Sequence, residues 1–168
     1  FIGRLHAAGA IKPFQTRREL TISYFAEDSA SFLLDDDFIP ANLREAYQSL
    51  TDDLIKRIHT IFSETSAPAQ IRIHGDCHMG NVLWRDDTPH FVDFDDTMQG
   101  PAIQDLWMLF SGDRQTQLAQ LSELIEGYNE FHDFNPAELL LVEALRTMRL
   151  MHYSAWLAKR WDDPAFKM

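Results

Sequence analysis

The stretch Ile71–Asp105, IRIHGDCHMGNVLWRDDTPHFVDFDDTMQGPAIQD, constrains this chain more than any other part of it. Two short apolar runs, Ile71–Ile73 and Val82–Trp84, bracket the polar segment His74–Asn81. A third run, Phe91-Val92, leads straight into Asp93-Phe94-Asp95-Asp96. β-prone residues that end in clustered acids predict strand ends delivering carboxylates to a common point. Asp86-Asp87-Thr88-Pro89 carries turn chemistry, so the second and third runs read as a β-hairpin. Closing that hairpin brings Asn81 toward Asp93 and lets both face Asp76.

These residue types, in this order, suit phosphoryl transfer. In a His-x-Asp segment followed by four residues and Asn, the Asp accepts or orients the proton of an attacking hydroxyl. The Asn and a second Asp on the next hairpin hold the divalent ions that neutralise nucleotide phosphates. Asp76 is the candidate catalytic base. Asn81 and Asp93 are the candidate metal ligands, Asp93 serving catalysis through the ion, and Asp95 is a second or water-mediated ligand. Hard oxygen donors suit Mg²⁺, or Mn²⁺ in its place, which takes one or two carboxylates and completes its shell with waters and phosphate oxygens. Asp96 reads as a turn residue. Cys77, beside the base, reads as a packing residue, because no activating base is arranged for it by sequence.

Taken jointly, HGDCHMGN, FVDFDD and GPAIQDLW resemble the phosphotransferase family of aminoglycoside and choline kinases. Within that family the fuller string HGDCHMGNVLWRD is most similar to a bacterial Ser/Thr protein kinase branch. The similarity is dense from Ile71 to Gly112 and recurs weakly at Arg146–Trp161 and Gly3-Arg4-Leu5-His6. The resemblance implies a protein-kinase-like fold, ATP as co-substrate, a cytoplasmic location, and transfer of the γ-phosphate to a Ser/Thr hydroxyl of protein. It further implies that Leu83 floors the adenine. His74 and Asp105 become structural supports, Asp105 by accepting backbone N–H bonds of the catalytic loop. His78 stands where Ser/Thr protein kinases carry a Lys that touches the transferred phosphate, and a histidine there can donate to that phosphate. This departure keeps a same-fold alternative open, a kinase of a small alcohol such as an aminoglycoside, choline or homoserine. Two alternatives of a different class are a metal-dependent hydrolase built on His74, Asp76, His78 and Asp93, and a catalytically silent interaction domain.

No glycine-rich phosphate loop and no Val-Ala-Ile-Lys-like strand occurs in the sequence, although both belong to the nucleotide-covering lobe of kinases. The chain is therefore expected to be the C-terminal lobe alone, residues 1–168 forming a single domain, with the N-terminal lobe of the same protein as its partner. On that expectation the piece by itself binds ATP poorly and is inactive or nearly so. The missing initiating Met points the same way.

Composition bounds the rest. A chain of 168 residues with 45% hydrophobic and 24% charged residues is ordinary globular material. No apolar run approaches the ~20 residues of a membrane span, and no signal peptide is visible at Phe-Ile-Gly. A single cysteine excludes a disulfide framework and fits a reducing compartment. A formal charge of −11 argues against nucleic acid as a partner and requires a cation before a phosphorylated ligand approaches the acids. The oligomeric state is not set by the sequence.

Periodicity places helices over 1–8, 21–34, 102–110 and 118–131. A clearer one runs from Ala41 to Ser63, with the stripe Leu43, Tyr47, Leu50, Leu54, Ile58 and Ile61, and ends at Thr65–Pro68. Asn135-Pro136-Ala137-Glu138 reads as a capped start. The helix it opens reaches about Arg160, is apolar on most sides and is expected to be central and buried, with His152 a core or edge histidine. The fold class is α+β, mostly helical, with a small β-hairpin carrying the chemistry.

Overall fold

The computed structural model describes residues 1–66 and 68–164. The chain runs through α1 (Ile2–Gly9), a wide π-helical turn (Ser23–Glu27) continuing into α2 (Asp28–Asp35), α3 (Arg44–Glu64) and β1 (Ile71–Ile73). It goes on through β2 (Val82–Arg85), β3 (Thr88–Phe91), β4 (Met98–Gly100), α4 (Ile103–Trp107), α5 (Arg114–Asn129) and α6 (Val142–Lys159). Short 3₁₀ turns occupy Met79–Asn81, Phe94–Asp96 and Pro136–Leu141. The content is mostly helical with little sheet, the expected class. The residues form two compact units, one of Phe1–Glu19 with Ser66–Val142, the other of Leu20–Thr65 with Glu143–Met168.

In the first unit β2 and β3 form the expected hairpin, Val82 opposite Phe91 and Arg85 opposite Thr88. Its turn is only Asp86-Asp87, at φ 51° and 57°. A pair of left-handed residues matches the twist of the flanking strands, and Asp tolerates that region better than most side chains. Thr88 and Pro89, expected in the turn, belong to the strand; a two-stranded ribbon has outer edges where a missing N–H goes unused. β1 stays out of this hairpin and pairs antiparallel with β4, Ile71 opposite Gly100. Three residues that run into Gly-Pro are too short to announce a strand by alternation. β4 also ties down the segment after α1. The Gln99 N–H donates to the Arg18 carbonyl at 3.0 Å, and its buried side chain accepts from the Phe14 N–H at 3.1 Å.

α1 packs on β1 and α5. The contact with α5 is close: a Cβ on Gly3 would lie 2.7 Å from the Tyr128 carbonyl oxygen, so only glycine fits. α4 is shorter than expected. It stops at Trp107, and the N–H groups of Leu109 and Phe110 reach back only three residues, loosening the chain before Gly112. Asn135 does cap, its Oδ1 accepting from the Ala137 N–H at 3.1 Å, but what it opens is the 3₁₀ turn Pro136–Leu141. Glu138 leaves its own helix start and accepts from the Ile103 N–H at 3.0 Å, capping α4 instead. That bond satisfies one of the orphan donors of a helix N-terminus.

In the second unit α6 buries one face, Ala144, Leu145, Met148, Met151, Ala155 and Ala158. Leu150, Tyr153 and Trp156 are exposed, so the expectation of an all-round buried helix is corrected to an amphipathic one. Its alanines let Leu33 of α2 close in, with Phe32, Ile39 and Tyr47 around them. α3 keeps the expected stripe at Tyr47, Leu54, Ile58 and Ile61 and departs from it at Leu50, with Leu43 just ahead of the helix. Leu43 and Leu50 are exposed while Thr51 and Ile58 are buried. The Thr51 hydroxyl donates to the Tyr47 carbonyl at 3.0 Å, which lets a polar side chain take the inner position. Of the expected terminator Thr65–Pro68, Ala67 lies outside the described residues. His152 rests against the rings of Tyr24 and Phe25, centroids 5.1 and 4.6 Å away. No helix among the described residues is long and apolar enough to cross a membrane.

Candidate active site

The segment His74–Asn81 leaves β1 through Gly75, which has φ 87°. A Cβ there would also lie 2.3 Å from the Asp96 carbonyl oxygen, so both the backbone angle and the space require glycine. The segment is held from behind by Asp105 on α4, a residue with no solvent exposure. Its Oδ2 accepts from the His74 N–H at 2.7 Å and its Oδ1 from the Gly75 N–H at 2.8 Å. Oδ2 also lies 2.9 Å from Nε2 of His6, a buried histidine on α1. Gln104 adds a bond from Nε2 to the Gly75 carbonyl at 3.3 Å. The backbone entering Asp76 is therefore fixed by side chains from α1 and α4.

His74 is fully buried and spends both ring nitrogens on the loop. Nε2 donates to the Val92 carbonyl at 2.8 Å, and Nδ1 accepts the Asp76 N–H at 3.4 Å. Neither nitrogen remains for a metal, which removes it from the ligand set of the hydrolase alternative. Cys77 is buried too, and burial, with the Asp105 and Asp76 carboxylates adding, pushes its thiol well above the ordinary range. That is the environment of an inert cysteine.

Asn81 does the joining. Its side-chain Nδ2 donates to the Asp76 carbonyl at 2.9 Å, which fixes the amide orientation and turns its oxygen the other way. Its own carbonyl accepts the Val92 N–H at 3.0 Å, one residue before Asp93. The hairpin thus brings the Asn81 backbone beside the approach to Asp93, and the Asn81 side chain beside Asp76. Asp93 itself sits at φ 62°, the left-handed region that Asp86 and Asp87 also adopt. Asp95 and Asp96 lie in the 3₁₀ turn that follows. Arg17 anchors this turn, donating to the Asp95 carbonyl at 2.6 Å.

His78 is partly exposed, its side chain 45% accessible against 21% for Asp76, with its Nε2 3.6 Å from Asp76 Oδ2. Its Nδ1 accepts from the Gly80 N–H at 2.9 Å, so the neutral ring carries its proton on Nε2, toward the Asp76 carboxylate. Leu83, paired with His90 in the hairpin, is 54% exposed, an accessible apolar side chain rather than a core one. Among the described residues, no three His, Cys, Asp or Glu side chains gather to hold a metal. The Asn81 amide oxygen and the Asp93 and Asp95 carboxylates are nonetheless hard donors of the kind Mg²⁺ takes, its remaining sites going to waters and phosphate oxygens.

His6 and Gln104 are supports that the motif reading missed. His6 carried one faint signal, the recurrence at Gly3–His6, and Gln104 stood inside GPAIQDLW without a role, because its partner lies 29 positions away.

The model of a family described as "Phosphotransferase enzyme family" matches residues 1–142. Stress response kinase A of Escherichia coli (strain K12) is 44% identical over 166 residues, covering 99% of this chain and 50% of its own length. Serine/threonine protein kinase RdoA of Salmonella typhimurium (strain LT2) is 44% identical, with 99% and 50% covered. The chain spans about half the length of the curated relatives it matches. Among solved structures it is similar to amicoumacin kinase hAmiN in complex with AMP-PNP, Ca²⁺ and Ami, with TM-score 0.67 at 19% identity. That match covers 94% of this chain and 49% of the other. Spectinomycin phosphotransferase APH(9)-Ia with ADP and spectinomycin gives TM-score 0.62 at 16% identity, with 94% and 53% covered. At these identities the likeness carries the fold alone.

Proposed function

The chain belongs to the phosphotransferase enzyme family, and on that premise we propose that it transfers the γ-phosphate of ATP to a Ser/Thr hydroxyl of protein, with Mg²⁺ or Mn²⁺ as cofactor. Residues 1–168 then act as one C-terminal lobe, completed by a nucleotide-covering lobe of the same protein and inactive or nearly so without it. A cytoplasmic place and a role in stress response follow the same relatives. Support comes from the 44% identity to chains named as such kinases across nearly all of this sequence.

The observation that carries the mechanism is Asn81 clasping the Asp76 carbonyl at 2.9 Å while its own carbonyl binds the N–H just before Asp93. One short segment thereby ties the base to the approach of the metal-binding acid. Asp76 takes the proton of the acceptor hydroxyl on its carboxylate. Asn81 and Asp93, with Asp95 assisting, would hold the cation, which would neutralise phosphate charge when bound. Leu83 offers an apolar surface to the adenine, and the Nε2–H of His78 donates to the phosphate as it leaves.

A single assay tests this: phosphorylation by the full-length protein with ATP against a protein panel and a small-alcohol panel, beside Asp76→Asn. The variant is expected to lose about 10²- to 10⁴-fold in rate, the worth of a general base. Equal activity would remove Asp76 from its role. His78 in place of a phosphate-binding Lys is the observation that favours the small-alcohol reading, and transfer confined to the second panel would select it.

A further inference from the structure

We propose that Tyr128 is a positioning residue for the transfer reaction, its hydroxyl setting the proton of His6 on Nε2 so that His6 and Asp105 hold the backbone ahead of Asp76 in one place. The proposal rests on reading Asp76 as the base.

Tyr128 lies on α5 and is 2% exposed. Its hydroxyl is 2.9 Å from Nδ1 of His6, and the two rings meet edge to face. The other nitrogen of that imidazole, Nε2, is 2.9 Å from Asp105 Oδ2. The same carboxylate binds the N–H groups of His74 and Gly75, the two residues before Asp76. The order along this line is phenol, imidazole, carboxylate, loop backbone, contributed in turn by α5, α1, α4 and the segment after β1.

A neutral imidazole has one proton, and its partners decide which nitrogen carries it. A phenol that donates to Nδ1 leaves the proton on Nε2, facing a carboxylate that accepts it. With the proton on Nδ1 instead, the Nε2 lone pair would face Oδ2 across 2.9 Å, acceptor against acceptor, on the oxygen that also carries the His74 N–H. Asp105 would then be pushed off its backbone partners. Tyr128 is a standing donor in this place. Burial, and after it the Glu138 and Asp105 carboxylates, push its hydroxyl pKa upward, so the phenol keeps its proton. Removing that hydroxyl takes away one of the two partners that keep the proton on Nε2 and leaves Nδ1 unmatched in a buried place, so the ring is held less firmly, and the loss reaches the base through bonds that never touch substrate.

The test combines spectroscopy and kinetics on the full-length protein. Long-range ¹H–¹⁵N correlation of the His6 ring is expected to show a neutral Nε2–H form in the wild type and, in Tyr128→Phe, a raised share of rings protonated on Nδ1 or on both nitrogens, since Asp105 alone then opposes them. The same variant is expected to lower kcat about threefold to tenfold, the worth of one neutral hydrogen bond, with KM for ATP unchanged. His6→Gln keeps a donor toward Asp105 without needing Tyr128. Adding Tyr128→Phe to it is expected to cost nothing more, since residues acting through one another are non-additive. A wild-type ring protonated on Nδ1 or on both nitrogens would overturn the proposal. So would an unchanged kcat in Tyr128→Phe, or a full additional loss in the double variant. If the wild type transfers no phosphate, the reading of Asp76 falls, while the ring spectrum still tells whether Tyr128 sets the His6 proton.

Discussion

The two histidines of HGDCHMGN, four residues apart, live under opposite rules. His74 is sealed from solvent with both nitrogens bonded to backbone, while His78 keeps a partly exposed ring with its protonated nitrogen near the Asp76 carboxylate. The same division runs through the segment. Behind it, Asp105, Gln104 and His74 hold main-chain atoms, with His6 bonded to the Asp105 carboxylate; in front, Asp76, His78 and Asp93 present side chains. A support of this kind is fixed by what it bonds, so its removal is felt first as stability, and as rate where the fold survives the change. A front residue is fixed by the loop it sits on, so its alteration is felt as rate.

Three experiments sharpen or break that division. The largest effect is expected from Asp105→Ala, which strips the partner from three buried N–H donors. A loss of about 3–5 kcal/mol follows, the usual cost of breaking a buried polar network at one end, read as the shift of a urea denaturation midpoint. An unshifted midpoint would break the comparison, because the loop would then not hang on its support. Gly75→Ala comes next. A left-handed angle of 87° and a carbonyl oxygen 2.3 Å from the new Cβ are expected to cost about 1–3 kcal/mol, measured the same way.

The smallest effect is a pH slope. Burial raises the pKa of Glu138, the Ile103 N–H opposing it. A carboxyl whose folded pKa is raised contributes stability that is full below the ordinary glutamate value and is lost as pH rises through the raised one. Glu138→Gln keeps an acceptor for Ile103 and has no proton to lose. Its stability is expected to stay level over the interval in which the wild type declines, as followed by denaturation midpoints from acid to neutral pH. Parallel curves would show that this carboxyl is not under strain.

The front of the segment was far more legible in sequence than its back. Asp76, Asn81 and Asp93 could be proposed as a site because chemistry restricts both their type and their order, and the hairpin between them announced itself by Asp86-Asp87. Asp105 was reachable only through the family pattern, and His6 hardly at all, since a helix histidine near one end of the chain shows nothing locally of its partner 99 positions on. The helix faces were misread in places for a related reason. Leu50 is exposed where Thr51 is buried, because hydropathy ranks the leucine higher while the hydroxyl can be satisfied within its own turn. Similarly, Glu138 obeyed a local capping pattern in sequence but caps a different helix in space.

Arg17 reaches the carbonyl of Asp95, not its carboxylate. A latch made to main chain is indifferent to which side chain position 95 carries. The side chain at that position can therefore change while the turn bearing it stays moored, and the guanidinium is engaged by backbone rather than by the acid's charge.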